Sequence, residues 1–196
     1  MKLLLASANP HKTTEMQLVL DGLGIQVLPL TAVEDPPREL PEDGTTLQAN
    51  ALQKARAVFA RHGVLCVADD TGLEVRALGG LPGVHSKRFS PQGTPEHNNA
   101  LLLQKLAGVT SRRARFRTVL ALVGSDVERV FEGECTGAIG TAPKGAHGFG
   151  YDPVFLPDDT PGQTMAELTP TQKAAIGHRG RALRSLMVFL RANRLH

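Results

Sequence analysis

Asp69 and Asp70 stand side by side after a short apolar run, Val64-Leu65-Cys66-Val67-Ala68, and are followed by Thr71 and Gly72. The run is brief and rich in β-branched residues, which predicts a buried strand that delivers the pair at its C-terminal end. In open α/β sheets that end is where ligands sit. Neighbouring side chains on a strand point to opposite faces, so one aspartate can serve a site while the other holds the loop. Gly79-Gly80 and Pro82-Gly83 then predict a tight loop before the basic run Ser86-Lys87-Arg88. Carboxylates opposite a basic cluster suit a divalent metal and an anionic substrate. The plainer alternative is that the two acids cap a turn, where Asp is common.

A second candidate is Ser7-Ala8-Asn9-Pro10-His11-Lys12, between a first strand and a first helix. A helix N-terminus offers free backbone N–H groups and a partial positive charge, a ready phosphate site. Ser7 and Asn9 can add side-chain hydrogen bonds and Lys12 a charge. The glycines of GxxxxGK[ST] are absent, so this is no P-loop. An ordinary Asn cap with a solvated lysine fits the same residues.

These two stretches, with Phe149-Gly150-Tyr151-Asp152-Pro153 and Gly177-His178-Arg179-Gly180, stand in one order and spacing along nearly the whole chain. Together they resemble the inosine triphosphate pyrophosphatase family, hydrolases of non-standard purine nucleotides. The resemblance implies hydrolysis of inosine and xanthosine triphosphates and their deoxy forms to the monophosphate and pyrophosphate. It makes Asp70 the proton acceptor or, with a metal-bound hydroxide as nucleophile, only a metal ligand, and Thr71 a substrate contact. It places Mg²⁺ on Glu42 and Asp70, with Glu39 and Asp43 as rivals to Glu42 in the same loop. Magnesium needs few protein carboxylates because it keeps waters and phosphate oxygens.

By the same resemblance the segment Ser7 to Lys12 binds phosphate, and Glu15 completes its motif as an orienting partner or a first-turn acid. Lys54 contacts substrate, although a solvent-facing helix lysine is the alternative. Phe149, Gly150, Tyr151 and Asp152 form the base-binding segment. A ring there can stack on a purine for about 1–3 kcal/mol, while a Phe is otherwise usually core. Lys173, His178 and Arg179 are the remaining purine contacts, against a simple end-capping role for His178. Lys87 matches only some members, and Lys144 and His147 receive no role. Many members carry Glu-Asn-Ala where this chain has Ala49-Asn50-Ala51, so one acid near the metal is missing.

With 196 residues, a single domain over 1–196 is expected. The chain is 41% hydrophobic and 21% charged, ordinary for a soluble globular protein. A net charge of +3 favours anionic ligands but is too weak to argue for nucleic acid. Arg112, Arg113, Arg115 and Arg117 are the one feature that suggests a nucleic-acid module, with no aromatic surface or groove-reading helix beside them. An aspartyl-phosphate phosphatase wants Asp-x-Asp, and here the acids are adjacent. Cys66 and Cys135 read as small core residues. No apolar stretch is long enough for a membrane helix, and Met1 to Ala6 is too short for a secretory signal. The expectation is a cytoplasmic enzyme with a small nucleotide substrate, no nucleic-acid or membrane partner and, from the family, a homodimer.

The elements that must position these residues follow from periodicity. Strands are expected at Lys2–Ala6 and Ile25–Leu30, and a loop without regular structure from Thr31 to Gly44. A first helix starts at Pro10 with Met16, Leu18, Val19, Leu20 and Leu23 inward. A second runs from a Thr45 or Thr46 cap to about Arg61, and a third from Thr94 to Leu106 with Ala100 to Leu103 inward. Phe116–Val123 and Val127–Ile139 predict a hairpin. A short strand at Pro153–Leu156, a short helix from Thr169-Pro170 and a closing helix from His178 to about Arg194 complete the chain. The fold class is α/β, a single domain around a mixed β-sheet with flanking helices. The resemblance adds an elongated two-lobed body with the active-site cleft between the lobes.

Overall fold

A computed structural model describes residues 1–193; the expected end of the last helix at Arg194 lies outside them. Strands are β1 (Lys2–Leu5), β2 (Gln26–Pro29), β3 (Cys66–Val75), β4 (Pro82–Gly83), β5 (Arg113–Gly124), β6 (Val127–Ile139) and β7 (Phe155–Pro157). Helices are α1 (Pro10–Leu20), α2 (Leu47–His62), α3 (Pro95–Lys105), α4 (Pro170–Ile176) and α5 (His178–Ala192). The sheet order is β2-β1-β3-β5-β6-β7, with β4 paired to β3. Parallel pairs (β1 with β2 and β3) and antiparallel pairs (β3 with β4, β6 with β7) make it mixed, as expected.

The helix starts follow from local chemistry. Asn9 accepts from the His11 N–H with Pro10 at the first helical position of α1, and Thr46 accepts from the Ala49 N–H at the start of α2. Gly63 closes α2 at φ 65°, a left-handed conformation that an L side chain resists. Thr169 and Gln172 form a reciprocal capping box on α4.

The chain packs as two compact units. Among the described residues, the first comprises 1–70, 118–133 and 179–193, and the second 71–117 and 134–178. The core of the first unit joins Leu3, Leu5, Met16, Leu20, Leu120, Leu122 and the Leu183, Leu186 and Leu190 stripe of α5. The second unit buries Leu73, Val75, Leu102, Phe116, Ile139, Phe155 and Met165.

Four expectations are corrected. The strand does not end at Ala68: β3 continues through Asp69, Asp70 and Thr71 to Val75, so the aspartates sit within a strand rather than at its end. The alternation Leu73-Glu74-Val75 is the signal for that continuation. In α1, Leu18 is 41% exposed, and the buried stripe is Met16 and Leu20, four residues apart. In α3, Ala100 is exposed and Leu101 and Leu103 only partly buried. Asn98, Asn99 and Leu102 are buried instead. Asn98 can be buried because it bonds Ser90 and the Ser86 and Lys87 carbonyls. Finally, the loop from Thr31 opens on a 3₁₀ turn, Leu30–Ala32.

The arginine cluster is accounted for within the second unit. Arg112 donates to the backbone carbonyls of Leu106, Ile139 and Gly140. Arg113, Arg115 and Arg117 alternate along β5 and pair with Asp158, with Glu74 and Glu134, and with Glu74.

Candidate active site

Within the first unit, β3 places Asp69 and Asp70 on opposite faces, and each meets its own set of cations. Asp69 is 1% exposed. It pairs with Lys12 of α1 and, at 2.7 Å, with the Nε of Arg179 of α5. Arg179 in turn pairs with Glu15, one turn on from Lys12. Asp70 is more open. Its Oδ1 accepts from Lys54 Nζ at 2.8 Å and its Oδ2 from Asn50 Nδ2 at 3.3 Å. Lys54 also donates to Glu42 Oε1 at 2.6 Å and to the Asp69 carbonyl at 2.8 Å.

Burial and charge separate the two carboxyls. Burial alone would raise Asp69, but the Arg179 and Lys12 charges outweigh it and hold the carboxyl well below the usual range. For Asp70 burial wins over Lys54, and its carboxyl is raised. Burial pulls Lys12 down despite Asp69, whereas Asp70 and Glu42 outweigh burial at Lys54 and hold that ammonium up. Two adjacent carboxyls displaced in opposite directions mark a site where acid–base chemistry can be divided.

Lys12 and Lys54 are therefore not solvated helix lysines. Ser7 accepts from the Asn9 N–H, and Asn9 spends its own Oδ1 on the His11 N–H. Ala8, Pro10 and His11 are exposed at the start of α1. Glu42 is the acid that reaches Lys54, while its rival Asp43 bonds Gln53 at 2.5 Å.

Three cations, Lys12, Lys54 and Arg179, thus face four carboxylates, Glu15, Glu42, Asp69 and Asp70. Among the described residues no three His, Cys, Asp or Glu side chains gather as metal ligands. Glu42 and Asp70 are hard oxygen donors, and two carboxylates suit magnesium, which keeps waters and phosphate oxygens, better than a cation needing a full protein cage.

The second unit holds the other expected residues. Asp152 is buried, accepts from the Phe149 N–H at 2.8 Å and pairs with Lys173 at 2.7 Å. The Lys173 ammonium lies 4.8 Å from the centre of the Phe149 ring, which is only partly buried. Gly150 has φ 64°, and its carbonyl accepts from Asn99 at 3.0 Å. The Tyr151 hydroxyl donates to the Ser86 carbonyl at 2.8 Å. His178 is buried and stacks on Phe116, with centroids 4.5 Å apart. Thr71 is half-buried on β3; Lys87, Lys144 and His147 are exposed.

Sequence reasoning passed over Asp69 as the buried hub, and Asn50 and Asn99 as partners of Asp70 and Gly150. A buried Asn in a helix stripe is the only signal they give. A Cβ at residue 44 would lie 2.7 Å from the Ala49 Cβ.

The Ham1 family profile matches residues 3–189, and this chain belongs to that family. The dITP/XTP pyrophosphatase of Mycolicibacterium paratuberculosis is 49% identical over 193 residues, covering 96% of this chain and 95% of that protein. The structure of the Ham1 protein of Staphylococcus aureus is 34% identical, with TM-score 0.87 over 98% of this chain and 100% of that one. The structure of the nucleoside-triphosphatase, or dITP/XTP pyrophosphatase, of Mycobacterium abscessus is 45% identical, with TM-score 0.75 over 95% and 98%.

Proposed function

We propose that this chain hydrolyses deaminated purine nucleoside triphosphates, those of inosine and xanthosine and their deoxy forms, to the monophosphate and pyrophosphate. The observation that carries the reading is the divided pair on β3: Asp69 locked as an anion between Lys12 and Arg179, and Asp70 raised beside Lys54 and Glu42. The names of relatives about half identical in sequence point the same way.

The start of α1 and Lys12 take the phosphates. Asp70 accepts the proton of the water whose oxygen attacks the α-phosphorus, as the bond to the bridging oxygen breaks and pyrophosphate leaves. Lys54 keeps Asp70 and Glu42 together against their mutual repulsion. Glu42 and Asp70 would hold Mg²⁺, which supplies Lewis-acid polarisation of the phosphate oxygens.

In the second unit, Phe149 offers the purine a ring face. Lys173 and His178 are donors suited to the C6 oxygen of hypoxanthine and xanthine. Adenine presents an amino donor there, and donor against donor leaves groups unpaired. Arg179, bonded to Asp69 and Glu15, acts by fixing the anion beneath Lys12. The enzyme works in the cytoplasm as a homodimer; sedimentation of the purified chain checks the dimer.

The deciding assay measures products across nucleotides with Mg²⁺ present. Pyrophosphate from inosine triphosphate is expected, with strong rejection of adenosine triphosphate and a smaller margin against guanosine triphosphate, which shares the C6 oxygen. Release of inorganic phosphate alone would sink the reading.

Lys12→Ala gives a narrower test. Loss of a charged hydrogen bond, about 1.5–3 kcal/mol, is expected to weaken triphosphate and pyrophosphate binding together. Inosine monophosphate affinity should stay nearer to wild type. Equal weakening of all three, by calorimetry, would move Lys12 away from the phosphates.

A further inference from the structure

One side chain, the asparagine of Ala49-Asn50-Ala51, touches both Asp70 and the loop that carries Glu42. Asn50, four residues before Lys54 on α2, is 4% exposed. Its Oδ1 accepts from the Gly44 N–H at 2.8 Å, and its Nδ2 donates to Asp70 Oδ2 at 3.3 Å. Lys54 holds the other Asp70 oxygen, Oδ1, at 2.8 Å. Residues four apart lie on one helix face, so α2 presents two donors to the two oxygens of one carboxylate.

The orientation of the Asn50 amide follows from its partners. A backbone N–H only donates and an ionised carboxylate only accepts, so the oxygen must face Gly44 and the nitrogen Asp70. The loop comes close enough only because residue 44 is Gly. A Cβ there would lie 2.7 Å from the Ala49 Cβ and 2.8 Å from Asn50 Oδ1.

We propose that Asn50 is a positioning residue for the hydrolysis, setting the Asp70 carboxylate and, through Gly44, the Glu42 loop in one arrangement. The inference rests on Asp70 being the essential carboxylate. A carboxylate held at one oxygen only can turn about its Cβ–Cγ bond. A donor on the second oxygen removes that rotation. The amide at position 50 supplies an acceptor for the loop and a donor for the acid at once.

The test compares Asn50→Ala and Asn50→Asp, reading kcat, KM, thermal midpoint and hydrogen exchange at the Gly44 amide. Asn50→Ala removes both bonds. It is expected to lower kcat by about 10²-fold, the scale of a small misplacement of a reacting group, and to speed Gly44 exchange. Asn50→Asp keeps the acceptor for Gly44 but sets an oxygen against Asp70. It should keep the Gly44 protection and still lose kcat, a split that general loosening of the fold would not produce. Wild-type kcat in folded Asn50→Ala, recovered kcat in Asn50→Asp, or unchanged Gly44 exchange in Asn50→Ala would each overturn the proposal. Should Asn50→Ala not fold, Asn50→Asp decides it alone. If Asp70→Asn keeps full turnover, the assignment of Asp70 fails and this inference with it. If Asp70→Asn is inactive while Asn50→Ala is not, only the positioning role fails.

Discussion

Asp70→Asn is expected to lower kcat by about 10²–10⁴-fold, the contribution of a lost acid–base group, in a protein that still folds. The change is nearly isosteric and removes both charge and basicity. Folding should survive because burial raises the Asp70 carboxyl above its ordinary 3.8 despite Lys54. A carboxyl raised in the folded state adds stability below its unfolded pKa and loses that contribution as pH rises through the folded value. At neutral pH the ionised Asp70 is therefore no net support, and Lys54 keeps Glu42 when it is neutralised. The wild-type profile follows from the need for the ionised carboxylate: kcat/KM falls on acidification as Asp70 is protonated. Pyrophosphate release followed with pH, beside a thermal melt of the variant, checks both. Full turnover in folded Asp70→Asn would remove Asp70 from the chemistry.

Asp69→Asn is expected to act through stability instead. Asp69 is fully enclosed and pairs with Lys12 and Arg179, themselves largely buried. Removing one partner of a buried ion pair costs about 3–5 kcal/mol, because the remaining charge has neither water nor a counter-ion. Glu15 still reaches Arg179, so Lys12 is the more exposed to the loss. The sign in pH is opposite to that at Asp70. A carboxyl held below its usual range contributes stability above its unfolded pKa, and loses it as pH falls through the depressed folded value. Wild type and Asp69→Asn should differ most at neutral pH and converge in strong acid. Urea unfolding at several pH values reads this directly; equal midpoints at neutral pH would show that Asp69 is no structural hub. The neighbouring substitutions thus separate, one costing turnover and the other the fold.

The four motifs in order carried the family in the sequence, because residue types and their spacing are written in the chain itself. Helix starts were legible because their chemistry is local. Asn9, Thr46, Thr94 and Thr169 each settle their turn through a side-chain cap, with a proline's fixed φ added after Asn9, Thr94 and Thr169. What sequence could not decide was who meets whom across long separations. Asp69 and Arg179 are 110 residues apart, and their pairing exists only because β3 and α5 share a core with α1. Nothing local ranks Asp69 below Asp70 as a base; the division follows from which face of β3 meets two cations and which meets one lysine and an amide. The asparagines show the same limit. Polar residues in a helix stripe read as surface until a fold supplies partners that make their burial tolerable, and those partners, Asp70 with Gly44 for Asn50 and Gly150 for Asn99, come from elsewhere in the chain.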